Sequence, residues 1–226
     1  MKITYLGHSS FLIQVNGREI LVDPYVSQNK LASHISIDDL KPNYILVTHG
    51  HEDHMFDVES IALRCGSTII SNFEIVTWFE QKGLNGRAMN LGGKISLDFG
   101  TVKYVNATHS SVLPDGTYAG NPGGFVIWDS KSCLYIAGDS ALSLDMKLIP
   151  MTCPPLKVAI LPVGDTFTMG VEDAFVASNF LECDRIVGCH FDTFPPIEID
   201  KIKSVKYFEE RGKHLNLLDI GSTIEV

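Results

Sequence analysis

His49-Gly50-His51-Glu52-Asp53-His54 places three imidazoles and two carboxylates in six consecutive residues. Imidazole nitrogens and carboxylate oxygens are ligands of borderline divalent cations such as zinc. Four such groups on one turn serve two neighbouring ions better than one. The chain has 8 histidines in 226 residues, so three in one hexapeptide is a concentration that composition does not supply. A histidine-rich tract of this kind reads as metal binding, with a solvated polar loop as the plainer alternative.

A metal site draws ligands from distant segments, so the placement of other ligand-type residues matters. The apolar run Tyr44-Ile45-Leu46-Val47 reads as a buried strand that ends where the cluster begins. Three further residues repeat that pattern. His109 follows an expected strand at 101–107, Asp139 follows one at 133–137 through Gly138, and His190 follows one at 185–189. Ligands in open α/β sheets gather beyond the carboxyl ends of strands. Singly, each has an ordinary reading as a loop histidine or a turn-forming aspartate; their shared placement argues for one site.

The elements that would position these groups alternate between sheet and helix. Residues 3–6, 11–15 and 20–22 are short apolar strands, the last two joined by Asn16-Gly17, a pair suited to a tight hairpin. Helices are expected at 58–63 and 75–81 around a strand at 68–70. Strands return at 94–97, 101–107, 125–128 and 133–137, with turns at Phe99-Gly100 and Asp129-Ser130. A buried strand at 158–163, a helix at 172–181, a strand at 185–189, a helix at 200–211 and a strand at 215–218 complete the pattern. No repeat, low-complexity segment or linker divides it. The expectation is one domain over 1–226, α/β in class, with two sheets and outer helices.

Composition bounds the function. The chain is 45% hydrophobic and 20% charged, enough apolar material for a full core. No run approaches the roughly 18–20 apolar residues of a membrane span. Met1 to Tyr5 reads directly as strand rather than as a signal peptide, so the expected location is cytoplasmic. Five cysteines, Cys65, Cys133, Cys153, Cys183 and Cys189, are odd in number and form no CxxC pair, as suits reduced thiols. Cys189 precedes His190, yet core packing is its expected task. The net charge of −9 and the absence of a Lys/Arg cluster argue against nucleic acid and against a membrane surface. The sequence carries no signal of oligomeric state, and a homo-oligomer stays open.

THGHEDH, then His109, Gly138-Asp139 and His190, resembles the metallo-β-lactamase superfamily of metal-dependent hydrolases along nearly the whole chain. TYLGHSSFLI, LVDPY, GNPGGF, GDTFTMG and CHFDTFP resemble a small bacterial and archaeal branch near the ascorbate-phosphate lactonase proteins. The resemblance implies a four-layer αββα sandwich of two mixed sheets with two divalent ions at one edge, zinc foremost and manganese second. It implies that His49, His51 and His109 hold the first ion, that Asp53, His54 and His190 hold the second, and that Asp139 bridges them. Residues at i and i+2 of an extended loop can converge on one ion, which agrees with this division. Glu52 occupies a variable position and is expected to be exposed and not catalytic. His8 is either a second-layer or substrate contact or a structural residue. Asp23 resembles the aspartate that orients a ligand imidazole. Asp165 and Thr168 are candidates to line the pocket, with capping of the following helix as the alternative; His34 and His214 are expected at the surface.

The chemistry implied is hydrolysis of an ester, lactone or phosphodiester bond in a small molecule by a metal-bridging hydroxide, with Asp139 bridging and Asp53 orienting the water. No serine or cysteine nucleophile is required. True β-lactamases carry cysteine where this chain has Asp139, which argues against lactamase activity. Flavin-linked di-iron relatives replace a cluster histidine by a carboxylate, whereas His49 and His51 are both present. The reading from another class is a metal-binding or ligand-sensing module without turnover.

Overall fold

A computed structural model describes residues 1–226. Six strands open the chain: β1 (Lys2–Gly7), β2 (Ser10–Val15), β3 (Arg18–Val22), β4 (Tyr44–Leu46), β5 (Thr68–Asn72) and β6 (Gly86–Met89). Seven more follow: β7 (Lys94–Leu97), β8 (Gly100–Asn106), β9 (Gly123–Trp128), β10 (Cys133–Ile136), β11 (Val158–Pro162), β12 (Arg185–Cys189) and β13 (His214–Asn216). The last strand, β14 (Thr223–Glu225), returns to pair antiparallel with β1. The two seven-stranded sheets run β14-β1-β2-β3-β4-β5-β6 and β13-β12-β11-β10-β9-β8-β7. Each is mixed, antiparallel on one side and parallel from β3 to β6 or from β10 to β13.

Side-chain alternation sorts the layers. On β10, Leu134 and Ile136 point between the sheets, while Cys133 and Tyr135 point outward. On β11, Val158 and Ile160 face inward, and Ala159 and Leu161 face outward. The outer face of the first sheet is covered by α2 (Val58–Cys65) and α3 (Phe73–Glu80), which follow the short α1 (Glu52–Met55). The outer face of the second is covered by α4 (Leu148–Thr152), α5 (Val171–Phe180) and α6 (Lys201–Glu209). Four layers, αββα, result, as the family resemblance implies. Cys189 lies in the core between the sheets, and all five cysteines are unpaired.

Local chemistry sets the element ends. Asn16 and Gly17 both take positive φ, 49° and 75°, and close the β2–β3 hairpin. The helix expected from 75 starts at Phe73, because the Asn72 side chain accepts the Ile75 N–H at 2.9 Å. The Asp200 carboxylate does the same for Lys203 N–H at 3.0 Å, so α6 begins one residue after the expected boundary. Strands β6 and β14 stand outside the sequence expectation. Both are short edge strands with few buried side chains, so they lack the apolar pattern by which strands are read. No helix is long and apolar enough to cross a membrane.

The consequence for function is geometric. Strands β4, β8, β10 and β12 all release the chain at one edge of the sandwich, two histidine- and aspartate-bearing layers facing each other there.

Candidate metal centre

Asp23 fixes the floor of the site. Its carboxylate is fully buried; Oδ1 accepts the Thr48 N–H at 2.8 Å, and Oδ2 accepts the Thr48 hydroxyl at 2.6 Å and His54 Nδ1 at 2.8 Å. With Nδ1 donating to Asp23, His54 turns Nε2 toward the other donor groups. Nε2 is buried without a hydrogen-bond partner, 3.3 Å from Asp139 Oδ1, which is likewise unpartnered. The single turn of α1 carries Asp53 and His54 on different bearings, with His51 in extended conformation just before it.

His49 Nδ1 lies 3.0 Å from Thr48 Oγ1, whose own proton is committed to Asp23, so Nδ1 donates there and Nε2 is bare. That Nε2 faces His51 Nδ1 at 3.0 Å. The rings of His49 and His51 both stand edge-on to His109, each with centroids 5.1 Å away. Asp139, 3% exposed, reaches His190 Nε2 at 3.0 Å and His109 Nε2 at 3.6 Å through Oδ2. Asp53 Oδ2 lies 3.9 Å from His190 Nε2 and accepts from His8 Nε2 at 3.1 Å. His8 is held in turn by Thr193 Oγ1, 2.9 Å from its Nδ1.

Three sets of donor atoms therefore each converge within 4.8 Å: His49, His51 and His109; His8, Asp53, His54 and His190; and His49, His54 and Asp139. A divalent ion fits them. Buried donor atoms left without partners are costly unless something occupies the space between them. The 3.0 Å between His49 Nε2 and His51 Nδ1 is close to the roughly 3.3 Å that two nitrogens ~2.05 Å from one tetrahedral ion would show.

Electrostatics follow burial and neighbours. Burial holds the pKa of His49 well below the ordinary histidine value and lowers those of His51 and His109. Burial also opposes charge on His54, but Asp139 and Asp23 on either side outweigh it and hold its pKa well above the usual value. Burial would raise Asp139, yet His54 and His190 keep its carboxyl well below the normal carboxylate range. His8 is pushed down to about 4, chiefly by burial, with Asp53 opposing, so it is a neutral donor at pH 7.

The backbone around the donors is unusual. His8, Asp23 and His190 all take positive φ, at 54°, 44° and 54°, and Asp192 follows at 61°. His190 N–H donates to the His8 carbonyl at 2.9 Å, tying the two sheets together at this edge.

Gly50 is required by close approach. A Cβ there would lie 2.4 Å from the Ala119 methyl and 2.9 Å from the Val112 carbonyl oxygen. Gly50→Ala is expected to push the His49–His51 segment away from the 110–120 loop. It should lower stability by about 1–3 kcal/mol, as overpacking does; thermal denaturation with unchanged midpoint would refute the contact.

Other residues fall elsewhere. Asp165 and Thr168 lie outside the three donor sets and make local contacts. Asp165 Oδ1 accepts the neighbouring Thr166 N–H at 2.8 Å and borders a separate depression between the α5 and α6 ends. Thr168 donates to the Met169 carbonyl at 3.2 Å. The tight loop turns both side chains back on itself. Glu52, His34 and His214 are exposed. The structure adds Asp57, whose buried carboxylate accepts the Val26 and Ser27 N–H groups at 2.7 and 2.9 Å and pins the loop after Asp23. It adds Thr193 behind His8, and Tyr25, Phe56 and Phe194 beside Asp53. Nothing in their spacing marks them, apart from Tyr25 closing LVDPY and Thr193 and Phe194 falling in CHFDTFP.

Residues 2–190 match the Beta-lactamase superfamily domain. Across 226 residues, 100% of both chains, the sequence is 55% identical to a UPF0173 metal-dependent hydrolase of Flavobacterium johnsoniae. It is 52% identical over 227 residues, again 100% of both, to one from Christiangramia forsetii. Its structure is similar to that of a metallo hydrolase from the archaeon Ignicoccus hospitalis, with TM-score 0.89 and 34% identity over 99% of this chain and 97% of that one.

Proposed function

Starting from a chain that belongs to the beta-lactamase superfamily and is a metal-dependent hydrolase, we propose that it works through two ions held across its two sheets. One observation carries this reading: buried Asp139, with an unpartnered oxygen, stands between donor sets contributed by both sheets. His49, His51 and His109 would hold one ion, Asp53, His54 and His190 the other, and Asp139 would bridge them. The donors are imidazole and carboxylate without thiolate, which suits zinc first and manganese second.

Ions bound there would acidify a shared water and polarise the bond under attack. The chain's own residues do the rest. Asp23 holds the His54 ring by its Nδ1 proton. His8, anchored by Thr193, holds Asp53, whose carboxylate would orient the attacking water. The substrate is a small molecule with an ester, lactone or phosphodiester bond; a chain of net charge −9 is a poor partner for nucleic acid. Five unpaired cysteines suit a reducing compartment such as the cytoplasm.

The test is elemental analysis of purified protein, with hydrolysis of nitrophenyl ester, nitrophenyl phosphodiester and lactone reporters on the same samples. About two ions per chain are expected. Chelation should remove turnover and lower the melting temperature by roughly 5–15 °C, since ligand binding stabilises the native state alone. Zinc or manganese should restore both. Full metal loading without turnover of any reporter would favour the sensing module; failure to take up metal would refute the donor assignment.

A further inference from the structure

A cavity of about 340 Å³ opens beside Asp53, lined by Tyr25, Gln28, Glu52, Asp53, Phe56 and Phe194. Asp53 belongs both to this wall and to a donor set, so the cavity opens directly onto the hydrolytic centre.

The wall is built rather than incidental. Tyr25 N–H donates to Ser10 Oγ at 2.9 Å, and Asp57 grips the next two residues, so the ring stands on a fixed backbone. Phe56 ends α1 and Phe194 precedes Pro195-Pro196. Phe56 meets Tyr25 edge to face at 6.5 Å between centroids, and Phe194 lies 6.4 Å from Tyr25. Phe56 stays 42% exposed although apolar rings are normally withdrawn from water. A group seated between these rings would lie within the ~6 Å over which a ring face attracts a cation.

Charge selects among apolar guests. None of the six lining residues is basic, and two are carboxylates. The charge of Asp53 is committed to the donor cluster. Glu52 lies outside every donor set and forms no ion pair with a lysine or arginine, so its carboxylate is free to face the cavity. Asp53, Glu52 and Asp57 all add to burial in raising the Tyr25 hydroxyl above its ordinary pKa. The net charge of −9 also favours the approach of cations. A neutral apolar group would use the rings but leave Glu52 without a role.

We propose that the Tyr25–Phe56–Phe194 pocket receives an alkylated ammonium group of the substrate, with Glu52 as its counter-charge. This inference rests on the hydrolytic reading of the adjoining centre, but its test does not. Choline and its neutral carbon isostere, 3,3-dimethylbutan-1-ol, are titrated into metal-loaded protein and followed by saturation-transfer NMR. Choline is expected to bind at least about tenfold more tightly. Glu52→Gln and Phe56→Leu should each weaken choline roughly three- to tenfold, with metal content and melting temperature retained. Glu52 is exposed, so E52Q reports on charge even if the phenylalanine variant folds poorly. Equal binding of the two probes, or no choline binding, overturns the inference. Reporter hydrolysis on the same samples separates the two readings: turnover without choline preference counts against the pocket alone, and choline preference without turnover against the hydrolase alone.

Discussion

Asp139→Asn is expected to reduce turnover by at least about 10³-fold and to reduce the bound metal from about two ions per chain to one or none. The substitution keeps the shape of the side chain, so packing in this fully enclosed position is conserved. What changes is charge and lone pairs. Asp139 Oδ1 faces Nε2 of His54 at 3.3 Å, and Oδ2 faces His190 at 3.0 Å and His109 at 3.6 Å. An amide carries no negative charge and has one acceptor oxygen in place of two, so it could not serve the groups on both sides at once. Loss of a shared Lewis-acid centre removes several kcal/mol of transition-state stabilisation, and each ~1.4 kcal/mol is a factor of ten in rate. Elemental analysis and reporter kinetics on one preparation check both halves. A variant that keeps full metal content and wild-type turnover would remove Asp139 from the centre altogether.

Asp23→Asn should act through a different route, on the frame rather than on the ions. Two donors, the Thr48 hydroxyl at 2.6 Å and His54 Nδ1 at 2.8 Å, converge on Oδ2. If the new amide nitrogen takes that place, donor meets donor; if it takes the other, the Thr48 N–H loses its acceptor. Breaking a buried charged pair while leaving its partner in place costs about 3–5 kcal/mol. The His54 ring then loses the bond that fixes its tautomer, and metal affinity should fall about 10–100-fold. Chemical denaturation gives the first quantity and competition with a chromophoric chelator the second. Unchanged values in both would mean that Asp23 is a bystander.

The part of the fold that repeats a simple rule was legible in sequence. Apolar runs ending at Val47, Ala107, Ala137 and Cys189 announce strands whose next residues meet at one edge, and His49, His109, Asp139 and His190 do lie there. Asn16-Gly17 marks its hairpin because few residue pairs accept two positive φ values. The edge strands β6 and β14 escaped, since their stability comes from pairing with β5 and β1 and not from an apolar pattern of their own. Asp165 and Thr168 stand at the end of a buried strand, as the donors do, yet the loop from Asp165 to Met169 closes on itself through Asp165 N–H to the Met169 carbonyl. Position at a strand end sets where a residue is, while loop conformation sets where it points, and only the former is written in hydrophobic periodicity. The aromatic wall at Tyr25, Phe56 and Phe194 is assembled from three segments that share no spacing at all.

The positive φ angles at His8, Asp23 and His190 set a limit on how this protein could be made more stable. Left-handed backbone is uncomfortable for any residue with a Cβ, at about 1–2 kcal/mol each. Glycine would relieve it, and at Glu182, with φ 52° and at the opposite end of β12 from His190, nothing in the site stands in the way. At His8, Asp23 and His190 the same exchange would delete the side chain for whose direction the conformation is held. Tolerance to mutation is therefore uneven along the chain: ordinary surface turns can drift toward backbone comfort, whereas three turns at the cleft are kept tense by the imidazoles and carboxylate they aim.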